Sequence, residues 1–308
     1  MSGLRLATRK SPLARWQANH VAGLWRKGFP EVAVSLVEMT TSGDRLSEVP
    51  LQAFGGKALF IKELEQALLE DRADVAVHSL KDVTSDFPPG LCLAAVPERE
   101  DARDAWVSPA GHKLLSLPRG ARVGTASLRR ACLLKAARPD LEVVPLRGNV
   151  ETRLRKATEL GLAGTVLAVA GLVRLGLQHH ITEVLPVELS LPAVGQGALA
   201  LEVRSADAQV HERASTLEHR PSRLAVDAER AFLARLEGGC TIPLGGHAVL
   251  EGNQLWLRGF VGSPDGAEVL RGEKRGPVTE GAQLGRALAE ELLGRGADRL
   301  LLLSRQPP

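Results

Sequence analysis

The chain alternates short aliphatic runs with stretches of helical periodicity, and near its middle the alternation starts over. Runs at 4–8, 32–39, 74–77 and 91–96 read as strands, with helical patterns at 11–27 and 57–70 between them. From residue 122 the layout repeats as strand 122–124, helix 127–137, strand 141–146, helix 149–160 and strand 165–170. Strands that alternate with helices are covered by them, so this order specifies an α/β fold, and two such series specify two lobes. The interior has to be aliphatic, because aromatic residues make up only 3% of the chain and tyrosine is absent.

Beyond residue 191 the pattern changes. Segment 192–203 (PAVGQGALALEV) reads as a glycine-rich crossing followed by a strand, a route by which the chain returns to the first lobe. Ser222 reads as a cap opening a helix to about residue 236, and Glu237-Gly-Gly-Cys240 follows it. Strands at 246–250, 254–262 and 267–276, a helix at 280–294 and a strand at 300–303 complete a third, α+β domain. A length of 308 residues agrees with two or three domains at roughly 150 residues each.

Several function classes fall away. The formal charge of +3 is too small to argue for a nucleic-acid or membrane surface, and few aromatics are present to stack on bases. Cysteine occurs at 92, 132 and 240 with no CxxC spacing, which fits neither a disulfide framework nor a zinc site. The longest uncharged stretch, 160–173, is broken by three glycines and is too short to span a bilayer. With no apolar leader in MSGLRLATRK, the expectation is a reducing, cytoplasmic location and no membrane partner. Phosphate loops of the GxxxxGK[ST] and GxGxxG types are absent, so nucleotides are poor ligands.

The positive charge is built from 30 arginines and 9 lysines, and their places say more than their number. Arg9 and Lys10 precede Ser11-Pro12, an N-cap with proline at the first helical position; Arg129 and Arg130 follow Thr125-Ala-Ser127; Arg147 precedes the cap Asn149, and Arg153 comes one turn later. Cations at helix starts oppose the macrodipole unless an anion binds there. Each of these turns follows the carboxyl end of a strand, as does Arg174, and open α/β sheets bind ligands at that edge. Two readings stand: solvated arginines in an arginine-rich chain, or bidentate forks for a ligand bearing several carboxylates.

Three further features are chemical candidates. His78-Ser-Leu-Lys81-Asp82 follows a strand on the same edge, and its Lys-Asp pair is either a solvated turn or a carboxylate placed to steady a developing cation. Cys92 and Cys132 lie in apolar strand and helix patterns, as core residues, whereas Cys240 follows Gly238-Gly239 at a helix-to-strand turn. There it is either a buried structural thiol or a nucleophile or covalent anchor, with His247 a weak candidate for a base. Segment 40–56 (TTSGDRLSEVPLQAFGG) has no periodicity and reads as a surface excursion or as a lid over a cleft.

The strings ATRKSPLA, GGKALFIKELE, ADVAVHSLKDV, EREDARDAWVS, GTASLRRACLL, RPDLEVVPLRGNVETRL, LAVAGLVRLGL, LPAVGQGALALE, AERAFLARLEGGCTIPLG and WLRGFVGSPDG occur in this order along nearly the whole chain. In these the sequence resembles the porphobilinogen deaminase (hydroxymethylbilane synthase) family, cytoplasmic monomeric transferases that join porphobilinogen head to tail and release ammonia. The resemblance implies two lobes like those of periplasmic binding proteins plus a third, smaller α+β domain. It implies domain 1 at 1–97 and 198–216 with a mobile loop at 40–56, domain 2 at 103–191, and domain 3 at 220–308.

It also implies a covalent dipyrromethane cofactor, made from substrate and held through a thioether on Cys240, with Asp82 as the catalytic acid/base. Lys81, Asp82, Thr125, Ser127, Arg129 and Arg130 would contact that cofactor, and Arg9, Ser11, Phe60, Arg147, Arg153, Arg174 and Gln196 the substrate and growing chain. Ala58, Thr84 and Ala126 depart from the residues usual in the family's motifs. A sensor that holds a polycarboxylate without chemistry would share the lobes and the arginines. It would not need a thiol after Gly-Gly or an aspartate on the binding edge.

Overall fold

In a computed structural model, the described residues are 3–45, 61–236 and 242–303. They fall into two compact units, one comprising 3–45, 61–100 and 197–223 and the other 101–196, 224–236 and 242–303.

In chain order the first unit opens with β1 (Leu4–Arg9), α1 (Pro12–Gly28), β2 (Val34–Met39), the single turn α2 (Ser42–Arg45), α3 (Lys62–Leu69), β3 (Val75–Ser79) and β4 (Leu91–Ala95). The second unit begins with β5 (Asp104–Val107), β6 (Arg122–Gly124), α4 (Leu128–Ala137), β7 (Glu142–Val144), α5 (Val150–Glu159), β8 (Gly164–Ala168), α6 (Val169–Arg174) and β9 (Glu183–Val184). Then β10 (Leu199–Arg204) and α7 (Ala208–Ser215) rejoin the first unit, and α8 (Arg220–Arg235) leads out of it. The remainder is β11 (Leu244–Glu251), β12 (Gln254–Gly262), β13 (Val269–Pro277), α9 (Gly281–Gly294) and α10 (Ala297–Leu303).

The first sheet has the order β2-β1-β3-β10-β4 and the second β7-β6-β8-β5-β9. These are the same plan. In each, three strands that follow one another in sequence run parallel, and the fourth position is taken by an antiparallel strand from elsewhere in the chain. Alternate side chains of the first sheet point to opposite sides: Val75 and Val77 pack under α1 with Val21 and Trp25, while Ala76 packs with Leu64 and Leu68 of α3. The third sheet, β11-β12-β13, is an antiparallel meander covered on one face by Phe232 of α8 and Leu288 and Leu292 of α9.

Several elements depart from the pattern read in the sequence. The stretch 300–303, read as a strand, is the end of helix α10: Ala297, Leu300 and Leu301 are buried on one side while Leu302 and Leu303 face outward, a helical spacing. The strand read to residue 170 stops at Ala168, where its partner β5 begins, and Val169 and Ala170 open α6. Ser222 is not the cap of α8, which starts two residues earlier at Arg220-Pro221; its hydroxyl accepts from the Arg99 amide at 2.9 Å. Strands β5 and β9 and helices α2, α6 and α7, of 4, 2, 4, 6 and 8 residues, were not read at all. Of the helix read over 57–70, Lys62–Leu69 is described and 57–60 lies outside the described residues.

Close helix packing in the third sheet's layer depends on glycine. A Cβ at Gly285 of α9 would strike the Ala228 carbonyl oxygen of α8 and stand 2.8 Å from the Phe232 amide nitrogen. Backbone on the far side cannot yield, so Gly285→Ala is expected to destabilise the fold by about 1–3 kcal/mol. Gly23, in mid-helix on α1 with nothing within 4 Å of such a Cβ, is the control. Gly23→Ala should stabilise by about 0.5–1 kcal/mol, and thermal unfolding of the two variants reads both signs.

Candidate active site

In the first unit the functional turns stand where the parallel strands end. Arg9 is the last residue of β1, and the Lys10 amide donates to the Met39 carbonyl at 3.0 Å, so the chain leaves both strands together. Ser11 caps α1 by accepting from the Ala14 amide at 3.3 Å, with Pro12 at the first helical position and no acid in the first turn. Buried Gln17 of α1 donates to the Ser79 hydroxyl at 2.8 Å, which fixes the end of β3 against the helix. Next comes the 3-10 turn Leu80–Asp82, held by the Leu80 amide on the Ala198 carbonyl at 3.0 Å. Lys81 and Asp82 are both half-buried at this edge.

The second unit repeats the device with other residues. Beyond β6, the Thr125 amide donates to the Val144 carbonyl at 2.9 Å, and the Thr125 hydroxyl accepts from the Ser127 amide at 3.2 Å. Ser127 then caps α4, again without an acid in the first turn. Beyond β7, Gly148 has φ +121°, a left-handed backbone that lets the chain turn from half-buried Arg147 into the cap Asn149. The Thr152 amide donates to Asn149 Oδ1 at 2.8 Å, and Arg153 donates through its amide and its Nε to the Asn149 carbonyl. Burial lowers the Arg147 pKa, so its charge is partly stripped of water. Arg174 is buried in the last turn of α6, one helix beyond the strand end at which the sequence placed it.

Arg129 and Arg130 are not solvated. Both are buried, and both pair with Asp104, Arg129 Nη2 at 2.8 Å from Oδ2 and Arg130 Nη2 at 2.7 Å from Oδ1. Gln196 joins them through Nε2, which donates to Asp104 Oδ1 at 2.9 Å and to the Ala102 carbonyl at 2.7 Å. Burial would raise the Asp104 pKa, but the two guanidinium groups and the hydrogen bonds from Arg130 and Ser190 outweigh it and hold the carboxyl well below its ordinary range. The sequence reading gave Asp104 no role. The available signal was an acid heading an apolar strand (Asp-Ala-Trp-Val) in a chain with two adjacent arginines to neutralise.

The structure thus gathers Arg9, Ser11, Lys81 and Asp82 on one sheet edge, and Thr125, Ser127, Arg129, Arg130, Arg147, Arg153 and Gln196 on the other. Cys240, Phe60 and 46–56 of the loop lie outside the described residues. Of the other thiols, Cys132 is fully buried and Cys92 half-buried. His247 is turned toward Glu229, its Nδ1 3.4 Å from Oε1. Among the described residues no group of three or more His, Cys, Asp or Glu could hold a metal ion.

Solved structures similar to the chain include the BvgS VFT2 domain of Bordetella pertussis, at 16% identity over 70% of this chain and 85% of that one with a TM-score of 0.42. Another is the periplasmic aliphatic sulphonate binding protein SsuA from Escherichia coli, at 17% identity over 77% and 71% with a TM-score of 0.36. Family models match far more specifically: that of the porphobilinogen deaminase dipyromethane cofactor binding domain over residues 4–212, and that of the porphobilinogen deaminase C-terminal domain over 223–294. The two together span nearly all of the sequence, and the chain belongs to the porphobilinogen deaminase family, with that family's activity on porphobilinogen in tetrapyrrole biosynthesis and its dipyrromethane cofactor.

Proposed function

We propose that the chain is a hydroxymethylbilane synthase that works as a cytoplasmic monomer without a nucleic-acid partner, with Cys240 as the thioether anchor and Asp82 as the catalytic carboxylate. The observation that supports this best is the collection of cations and hydroxyls at the carboxyl ends of both parallel strand sets, where helix N-termini add their amides. Among the described residues no helix is long and apolar enough to cross a membrane. Three separate sheets support a reading in three domains at 1–97 with 198–216, 103–191 and 220–308.

The donor set fits the cofactor. Pyrroles of this pathway carry carboxylate side chains, and the second edge offers two buried guanidinium groups with one acid between them, a partly desolvated Arg147, and the hydroxyls of Thr125 and Ser127. Thr125, Ser127, Arg129, Arg130, Lys81 and Asp82 would hold it. When bound, the dipyrromethane supplies the nucleophilic pyrrole carbon to which the first substrate unit is joined. Arg9, Ser11, Arg147, Arg153, Arg174, Gln196 and Phe60 would orient porphobilinogen and the lengthening chain by its acetate and propionate groups.

Asp82 acts on the leaving amine. When the substrate's methylene C–N bond breaks, its electrons leave with nitrogen as ammonia and the methylene is left cationic; a fixed carboxylate lowers the cost of that charge. The proton released when the new carbon–carbon bond forms leaves through the same carboxyl oxygen atoms.

Three outcomes are expected. Cys240→Ser should fold but carry no dipyrrole and have almost no activity, whereas Cys92→Ser and Cys132→Ser should keep both. Burial pushes the Cys132 thiol up to about 11, so at pH 8 it is protonated and unreactive. Intact mass decides, and an adduct persisting on Cys240→Ser would end the assignment.

Asp82→Asn preserves shape and removes the charge. Losing about 3–4 kcal/mol of transition-state stabilisation corresponds to a rate roughly a hundred- to a thousandfold lower. Single-turnover kinetics of cofactor-loaded protein measure this, and wild-type turnover would make Asp82 a surface turn residue.

Changing Arg129, Arg130, Arg147, Arg153 and Arg174 singly to lysine keeps charge but degrades the planar fork. Those that hold the cofactor should give protein purified largely without it; those that hold later rings should give loaded protein that stalls part-way. Mass spectrometry with limited porphobilinogen resolves the ladder of bound intermediates, and five variants that all run through it like the parent would move the carboxylate site elsewhere.

A further inference from the structure

Asp104 heads β5 opposite Ala168, the last residue of β8, which puts it at the edge of the second sheet where the parallel strands end. It is completely buried, and both oxygens are fully engaged. Oδ1 accepts from Arg130 Nε at 3.2 Å, Arg130 Nη2 at 2.7 Å and Gln196 Nε2 at 2.9 Å; Oδ2 accepts from Ser190 Oγ at 2.7 Å and faces Arg129 Nη2 at 2.8 Å. Each guanidinium has a second fixed point. Arg129 Nη1 donates to the Leu191 carbonyl at 2.5 Å, and Arg130 Nη1 to the Val166 carbonyl at 3.0 Å. A planar group held at two points has its plane set, so neither fork can swing.

The charge of this cluster does not balance. The charged groups that act on Arg129 are Asp104 and Arg130, so two cations share one carboxylate, and burial pulls the Arg129 pKa down accordingly. Unbalanced charge out of water is costly, and the cost is relieved when an anion enters. Both arginines start α4, whose first amides favour the same sign of ligand.

We infer that Asp104 is a positioning residue for carboxylate recognition: it fixes the planes of Arg129 and Arg130 and leaves one buried positive charge to be met by a carboxylate of the dipyrromethane. This rests on the reading that these two arginines hold the cofactor. A plain counter-ion would behave oppositely. Removing Asp104 raises the excess from one positive charge to two, so if only the field mattered, a carboxylate would bind more tightly; if geometry matters, it binds less tightly.

The test follows covalent loading by intact mass while the cofactor-free form of the whole chain is titrated with porphobilinogen. Asp104→Asn keeps the shape and one acceptor oxygen, and the porphobilinogen concentration for half-maximal loading should rise about tenfold, the limiting rate at saturation staying within about twofold. Ser190→Ala removes one hydrogen bond to Asp104 without touching any charge. It should shift half-loading in the same direction by roughly two- to fivefold, and it decides the matter if Asp104→Asn does not fold. A split between half-loading and limiting rate is not expected of a general loss of stability. Half-loading equal to or below the parent's in these variants would overturn the role of Asp104. Arg129→Lys separates the two levels: normal loading there would overturn the cofactor reading itself, whereas poor loading there with normal loading of Asp104→Asn and Ser190→Ala would overturn only the positioning role.

Discussion

In each five-stranded sheet the strand in the fourth position lies outside the run of three parallel strands in sequence, and it runs against its neighbours. Much else depends on this reversal. An antiparallel strand begins where the parallel strands end, so β10 starts with Leu199 beside Ser79, and β5 starts with Asp104 beside Ala168. Segments leading into these strands therefore lie among the functional turns. The Leu80 amide bonds to Ala198 just before β10, and Gln196 reaches both Ala102 and Asp104 just before and at the start of β5. In each sheet the edge that carries the candidate site residues is also the edge where the chain arrives.

The electrostatics of the two edges follow from the same arrangement. A strand end feeding a helix start presents unpaired amides, which prefer an anion, and at α1 and α4 the sequence places cations there and no acid in the first turn. The caps of these turns stabilise them without ligand: Ser11, Ser127 and Asn149 each accept from the amide three residues on. A net buried positive charge remains around Asp104. Unbalanced charge out of water costs folding stability, and an anion entering such a cluster offsets that cost.

Strands and helices of ordinary length were legible in the sequence because their apolar spacing is strict: α1, α4 and α5 have the caps expected of them, and β6 and β12 run as read. What was not legible was decided by tertiary contacts. Whether Leu300–Leu303 is strand or helix turns on which leucines find the third sheet's core, and only 300 and 301 do. Ser222 carries every local mark of a cap, yet its hydroxyl is spent on the Arg99 amide and on His219. The arginines of the site were found from their helix starts, but their burial was not, because the acid that permits it lies 25 residues before Arg129 in an unread strand. Periodicity cannot report a partner that far away.

A similar long-range carboxylate frames the third sheet. Glu229 of α8 is fully buried; Oε2 accepts from the Gly195 amide at 2.8 Å and Oε1 from the Ala248 amide of β11 at 2.8 Å. Helix α8 ends shortly before Cys240 in the sequence and β11 begins shortly after it, so one side chain fixes the elements on both sides of that position to each other and to the glycine-rich segment. Gly245 tightens the same junction, since a Cβ there would come within 2.6 Å of the Pro192 carbonyl.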